Sequence, residues 1–127
     1  MAGKILRYIA IASAALCAAF LGLATYAYIE LFSPFTIIPT LGRDLPENIE
    51  AANAEFERRV LAQYPLPFPQ GELISELDAQ GFAISEDIRM AEFTKQQFPC
   101  NLIWRIKWEI ENSSIVELDA VYGGICL

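Results

Sequence analysis

Tyr8 to Ile29 is a run of 22 residues without a single charge, and it constrains everything that follows it. As a helix rising about 1.5 Å per residue it covers about 33 Å, enough to cross a hydrocarbon core of about 30 Å. Lys4 and Arg7 stand before the run and Glu30 closes it. The positive-inside rule then predicts a cytoplasmic N-terminus, with the rest of the chain on the far side of the plasma (inner) membrane. A cleaved signal peptide is the competing reading, but the apolar run exceeds the usual h-region. Its small-residue sites at Gly22-Leu23-Ala24 and Thr25-Tyr26-Ala27 are followed by more apolar residues. Both readings deliver the same part of the chain to the same compartment. Within the run, Ala15, Ala18, Ala19 and Gly22 recur at spacings of three and four, a helix-pairing face that lets two backbones approach closely.

The chain has 127 residues, room for one domain beside the membrane segment. The organisation expected is residues 1–32 as a cytoplasmic stub and transmembrane helix, 33–43 as a juxtamembrane linker, and 44–127 as an exported domain. Pro34, Pro39 and Gly42 argue for the semi-extended linker. Phe32, Phe35, Ile37 and Ile38 would rest on the lipid interface or on a partner. Without Lys4 and Arg7, seven basic residues face sixteen acidic ones, a net charge of −9. Such a balance repels phosphate backbones, so no nucleic acid is expected as a partner.

Asp44-Leu45-Pro46-Glu47 has the form of a helix start, with Asp44 as N-cap and Glu47 three residues on. Ile49, Ala52, Phe56, Val60 and Tyr64 then make one apolar stripe, leaving Glu55, Glu57, Arg58 and Arg59 for water. Three prolines between Tyr64 and Pro69 predict a stiff polyproline-like connector. A second helix is expected over residues 72–80, with Leu73, Ile74 and Leu77 inward and Gly81 ending it in a left-handed conformation. Phe82, Ile84, Ile88 and Met90 suggest a first strand, interrupted at Glu86-Asp87 by a bulge or a turn.

The last third is the most regular. Leu102, Trp104, Ile106, Trp108 and Ile110 alternate with Arg105, Lys107, Glu109 and Glu111. After Asn112-Ser113-Ser114, Val116, Leu118, Ala120 and Tyr122 continue the apolar face, with Glu117 and Asp119 outward. This is a hairpin with one buried and one wet face. Because both apolar sets are even-numbered, facing residues must have an even sum, or one strand turns its polar side inward. A turn centred on Ser113 makes that sum 226 and sets Ile110 against Val116, Trp104 against Tyr122, and Cys100 against Cys126. Facing Cα atoms on paired strands lie about 4.5–5.5 Å apart, within reach of a disulfide that an oxidising compartment would preserve. Gly123-Gly124 marks a bulge or tight packing on the last strand.

The chain has no His, so the commonest general base and metal ligand is missing. Cys100 and Cys126 lack a CxxC spacing and enough further ligands for zinc. No phosphate-binding glycine loop occurs; Glu86-Asp87 and Glu109/Glu111 fit exposed strand charges. The expectation is therefore a non-enzyme, with no cofactor and no metal.

The order helix, helix, strand, strand, strand predicts an α+β fold: a three-stranded antiparallel sheet covered on one face by two helices. From Gly71 to Tyr122, the helix ending at Gly81, the following strand and the Trp-rich hairpin resemble the BamE/SmpA-like domain of outer-membrane assembly lipoproteins. The chain also looks like the single-pass envelope proteins of proteobacteria that share such domains. The chain departs from the lipoproteins at Cys17, which Leu16 precedes in place of a small lipobox residue. It departs again at Phe82-Ala83, where a proline usually follows the glycine. The resemblance implies a periplasmic domain that binds another envelope protein. The acidic balance suggests a second possibility, an immunity or inhibitor protein for a basic toxin or hydrolase.

Overall fold

The computed structural model describes residues 1–32 and 37–127, which form two compact units, one ending at Phe35 and the other beginning at Thr36. The side chains of Phe32 and Phe35, expected at the lipid interface, lie outside the described residues. The first unit is one helix, α1 (Ala2–Phe32), whose stretch Ala2–Ile29 is long and apolar enough to cross a membrane, with a mean hydropathy of 2.0. Two of its hydroxyls bond the helix's own backbone: Ser13 donates to the Ala10 carbonyl at 3.0 Å and Thr25 to that of Leu21 at 2.7 Å.

The second unit is α+β, with a sheet of five strands instead of the expected three. A 3₁₀ turn (Thr40–Gly42) precedes α2 (Ile49–Gln63); β1 (Phe68–Pro69) leads into α3 (Gln70–Ala79). Four strands follow: β2 (Ala83–Ser85), β3 (Met90–Gln97), β4 (Cys100–Glu111) and β5 (Ser114–Cys126). The sheet order is β1-β5-β4-β3-β2, antiparallel throughout. One core joins Phe56, Val60 and Tyr64 of α2 and Leu73 and Leu77 of α3 to Ala91, Trp104, Ile106, Trp108, Ile115, Leu118 and Ala120 of the sheet.

Both additional strands lie where prolines or polar residues obscured the pattern. The Glu86-Asp87 interruption is a turn, which divides the expected single strand into β2 and β3. Beyond it the alternation changes parity: Ala91 is buried, whereas Ile88 is 59% exposed. The connector read as polyproline-like ends in β1, where Phe68 faces Ile115 and Pro69 faces Ser114. Proline is tolerated there because this is a sheet edge, where no second neighbour needs its missing N–H.

The start of α2 also differs from expectation. Asp44 adopts φ 51°, outside helical space, and Asn48 is the cap, its Oδ1 accepting from the Ala51 N–H at 3.0 Å. Ile49, placed on the buried stripe, is 51% exposed, because it opens the helix before the stripe reaches the sheet. Arg59, assigned to water, is half-buried. Its guanidinium hydrogen-bonds the Leu41, Arg43 and Asp44 carbonyls, while Glu55 orients it from one turn earlier.

Those carbonyls belong to a segment read as linker. Pro39, Leu41 and Gly42 are buried, and a Cβ on Gly42 would collide with the Trp104 indole. Residues 37–43 thus pack within the second unit, and glycine at 42 is what lets the backbone lie flat on the indole.

The β4–β5 register follows the sum of 226 from Cys100↔Cys126 to Glu109↔Glu117. It then slips: Ile110 faces Ile115, not Val116. Asn112 and Ser113 both have positive φ (50° and 66°), the signature of a two-residue type I′ turn, where a three-residue turn was expected. A two-residue turn closes on the odd sum 225, so one extra residue is needed to bring Leu118 and Trp108 back to one face. Val116 is that residue; it bulges out and is 40% exposed, and Ile115 fills the core in its place. Gly123 and Gly124, read as a bulge or tight packing, sit in regular ladder; only Gly124 is closely approached, by Leu102.

Candidate functional site

Both helices with core residues cover the same face of the sheet, so the site must be sought on the other face and at its edges. On the bare face, odd positions of β4 and β5 meet even positions of β3. Cross-strand rows run Met90–Lys107–Asp119, Glu92–Arg105–Val121, Thr94–Ile103–Gly123 and Gln96–Asn101–Ile125. The rows nearest the β4–β5 turn are charged, as expected of Lys107, Glu109, Glu117 and Asp119. Arg89 pairs with Glu109, and Arg105 holds Glu92 through Nε at 2.8 Å and Nη2 at 2.6 Å.

Farther from the turn the rows carry no charge and mix polar Thr94, Gln96 and Asn101 with apolar residues. Ile103, Val121 and Ile125 surround a shallow depression of about 260 Å³ whose floor is Gly123 and whose rim includes Arg105. Val121 is 45% and Ile125 68% exposed. The sequence signal was available: apolar residues at odd positions in strands whose even positions already fill the core. A second depression of about 190 Å³ is walled by Lys107, Glu109, Glu117 and Asp119.

The sheet ends in a staple. Cys100 and Cys126 face each other with Cα atoms 4.0 Å apart and sulfurs at bonding distance, joining residues 26 apart in sequence. Next to it, Phe98 in the β3–β4 loop is 80% exposed, and the Leu127 N–H donates to the Pro99 carbonyl at 3.1 Å.

Trp104 and Trp108 are core residues, each 2% exposed, and neither presents a stacking surface to solvent. Trp104 packs between Phe93 and Tyr122, with ring centroids at 5.6 and 5.1 Å. Three groups among the described residues titrate away from their ordinary values, the Arg58 guanidinium being raised by its hydrogen bond to Glu55. Burial raises the Tyr64 phenol to about 12, the Glu76 carboxylate adding to the effect, while Gln80 Nε2 donates weakly to its oxygen at 3.4 Å. Hydrogen bonds from Arg58 and Arg59 lower Glu55 to about 2. None of the three lines either depression. Among the described residues no three His, Cys, Asp or Glu side chains gather as a metal site would need.

In α1, Ala15, Ala18, Ala19 and Gly22 occupy one helical face and are exposed, as is Cys17. Comparison with protein-family models, with curated proteins and with solved structures finds no match.

Proposed function

We propose that this protein is a non-enzymatic, single-pass membrane protein that presents its α+β domain to another protein of the cell envelope. The observation that carries the reading is the apolar cluster Ile103, Val121 and Ile125 on the sheet face opposite the one that α2 and α3 cover. A contiguous apolar patch rimmed by polar residues marks an interaction surface. Lys4 and Arg7 in the first turns of α1, ahead of its uncharged run, support a cytoplasmic N-terminus, and the cysteine pair supports an oxidising, periplasmic location for the domain. The small-residue face of α1 is the surface for helix pairing in lipid.

The test is site-directed photo-crosslinking in intact cells with the full-length protein. A photoreactive residue at Val121 should yield one dominant protein adduct. The same residue at Glu57, on the solvent side of α2, should yield none. Equal or absent labelling from both positions defeats the reading. The acidic balance favours a second reading, an immunity or inhibitor protein for a basic toxin or hydrolase. It predicts association with a cationic enzyme that slows steeply as salt is raised.

A further inference from the structure

The two long flanks of the sheet differ in how their main-chain groups are satisfied. The Trp108 N–H donates to the Arg89 carbonyl at 3.1 Å, so even residues of β4 and odd residues of β3 bond each other. The even residues of β3 therefore turn their N–H and C=O groups away from β4, toward β2. β2 is short. It covers Met90 through Glu92 and ends at Ala83, where the chain leaves for α3 and the Phe82 N–H bonds the Leu77 carbonyl. Thr94 and Gln96 lie beyond it, both exposed, and their outward main-chain groups find no partner among the described residues. Two donors and two acceptors thus stand in line with β2, unpaired. Between them is Lys95, whose facing residue on β4 is Leu102 and which makes no ion pair among the described residues.

We propose that the Thr94–Gln96 edge of β3 is a strand-addition site for an extended segment of a partner protein, antiparallel to β3, with a carboxylate opposite Lys95. This deepens the protein-binding reading and rests on it. The geometry defines the segment. Its residues opposite Thr94 and Gln96 exchange main-chain hydrogen bonds, so the residue opposite Lys95 forms a non-hydrogen-bonded pair, in which side chains approach most closely. An acidic side chain there meets an unpaired cation, a favourable cross-strand pair. The flanking residues fall on the bare sheet face beside the row of Ile103, where β-branched apolar side chains extend the exposed cluster. At the far end, exposed Phe98 offers an apolar contact and Pro99, with no N–H, ends the line of donors.

A second copy of the chain fits poorly. Antiparallel pairing of two such edges with Thr94 against Gln96 sets Lys95 opposite Lys95, like charges at the closest cross-strand distance. The β5 flank is also unsuitable, since the Tyr122 N–H is already taken by Asn53 Oδ1 at 2.8 Å.

The experiment uses the full-length protein in detergent micelles and a fluorescein-labelled peptide, Ser-Thr-Val-Glu-Val-Thr-Ser, with a counterpart carrying Lys in place of Glu. The Glu peptide should bind saturably and slow hydrogen exchange at the Thr94 and Gln96 amides. Lys95→Glu, a change at a half-buried edge position outside the core, should weaken the Glu peptide roughly fivefold and transfer preference to the Lys peptide. Thr94→Pro, which removes one donor, should abolish binding of either. No binding up to millimolar peptide, protection at other amides, or an unchanged preference in Lys95→Glu overturns the proposal. Adducts from Val121 together with a silent edge would sink this inference alone. Failure of the Val121 adducts would sink the wider reading.

Discussion

The β5 and β3 flanks of the sheet make an instructive pair. On the β5 side, α2 lies against the strand, Asn53 caps the Tyr122 N–H, β1 covers Ile115, and Cys126 is tied to Cys100. On the β3 side, only the three residues of β2 cover an eight-residue strand. An edge left open is a standing invitation to pair with another strand, so proteins normally cover it. Here one edge is covered three ways and the other is left half-bare, so the domain's stability is concentrated on one flank and its unsatisfied main-chain capacity on the other.

Substitutions can break or sharpen that contrast. Phe56→Ala, on the covered side, should cost about 3–5 kcal/mol in urea denaturation, because Phe56 is fully buried between α2 and the sheet. Phe93→Ala, only half-buried on the open side, should cost clearly less; equal losses would erase the distinction. Cys126→Ser should remove about 3 kcal/mol by releasing the loop closed by the staple. Thiol titration of the unreduced protein should find one reactive cysteine, Cys17, and three after reduction and unfolding.

Smaller effects come from single polar contacts. Asn53→Ala should cost about 1 kcal/mol by orphaning the Tyr122 N–H, and Asn53→Asp, which keeps the acceptor, should cost less. Arg105→Gln, on the open flank, should change stability by about 0.2–1 kcal/mol, since its pair with Glu92 is partly exposed. The smallest effect is on acid stability. Glu55 is held at about 2 in the folded state, below its unfolded value of 4.5. Its ionised form therefore favours the fold above about pH 4.5, and that contribution fades as pH falls toward 2. Glu55→Gln should flatten the slope of stability against pH in that window, with a small loss at neutral pH and none below about pH 2.

How far the residues speak for themselves depends on what each pattern encodes. The Trp-rich hairpin was legible to the residue over most of its length, because alternation with period two and the parity rule leave few registers. It failed only at Ile110 and Val116, where the type I′ turn of Asn112-Ser113 has an odd closing sum and a bulge must absorb it. β3 was hidden because its core face holds only Ala91 and Phe93 before Lys95 and Gln97 break the alternation. The segment Pro39–Gly42 read as linker because its prolines and glycine say nothing about what they pack against; Trp104 and Arg59 supply that from far along the chain. The exposed cluster of Ile103, Val121 and Ile125 was visible as apolar residues at the wrong parity, and was passed over because alternation assigns such positions to water.

By itself the sequence determined the uncharged membrane-length helix, the apolar stripe of α2, and the cysteine pairing. Each depends on local periodicity or on a register that parity restricts, and neither needs knowledge of distant residues. The tertiary structure alone decided that five strands form one sheet, that β1 caps one edge, and that β2 stops short of Thr94. Those outcomes depend on where helices and loops come to rest against a strand, and edge hydrogen-bonding groups carry no mark in the side-chain pattern that announces whether a neighbour will arrive.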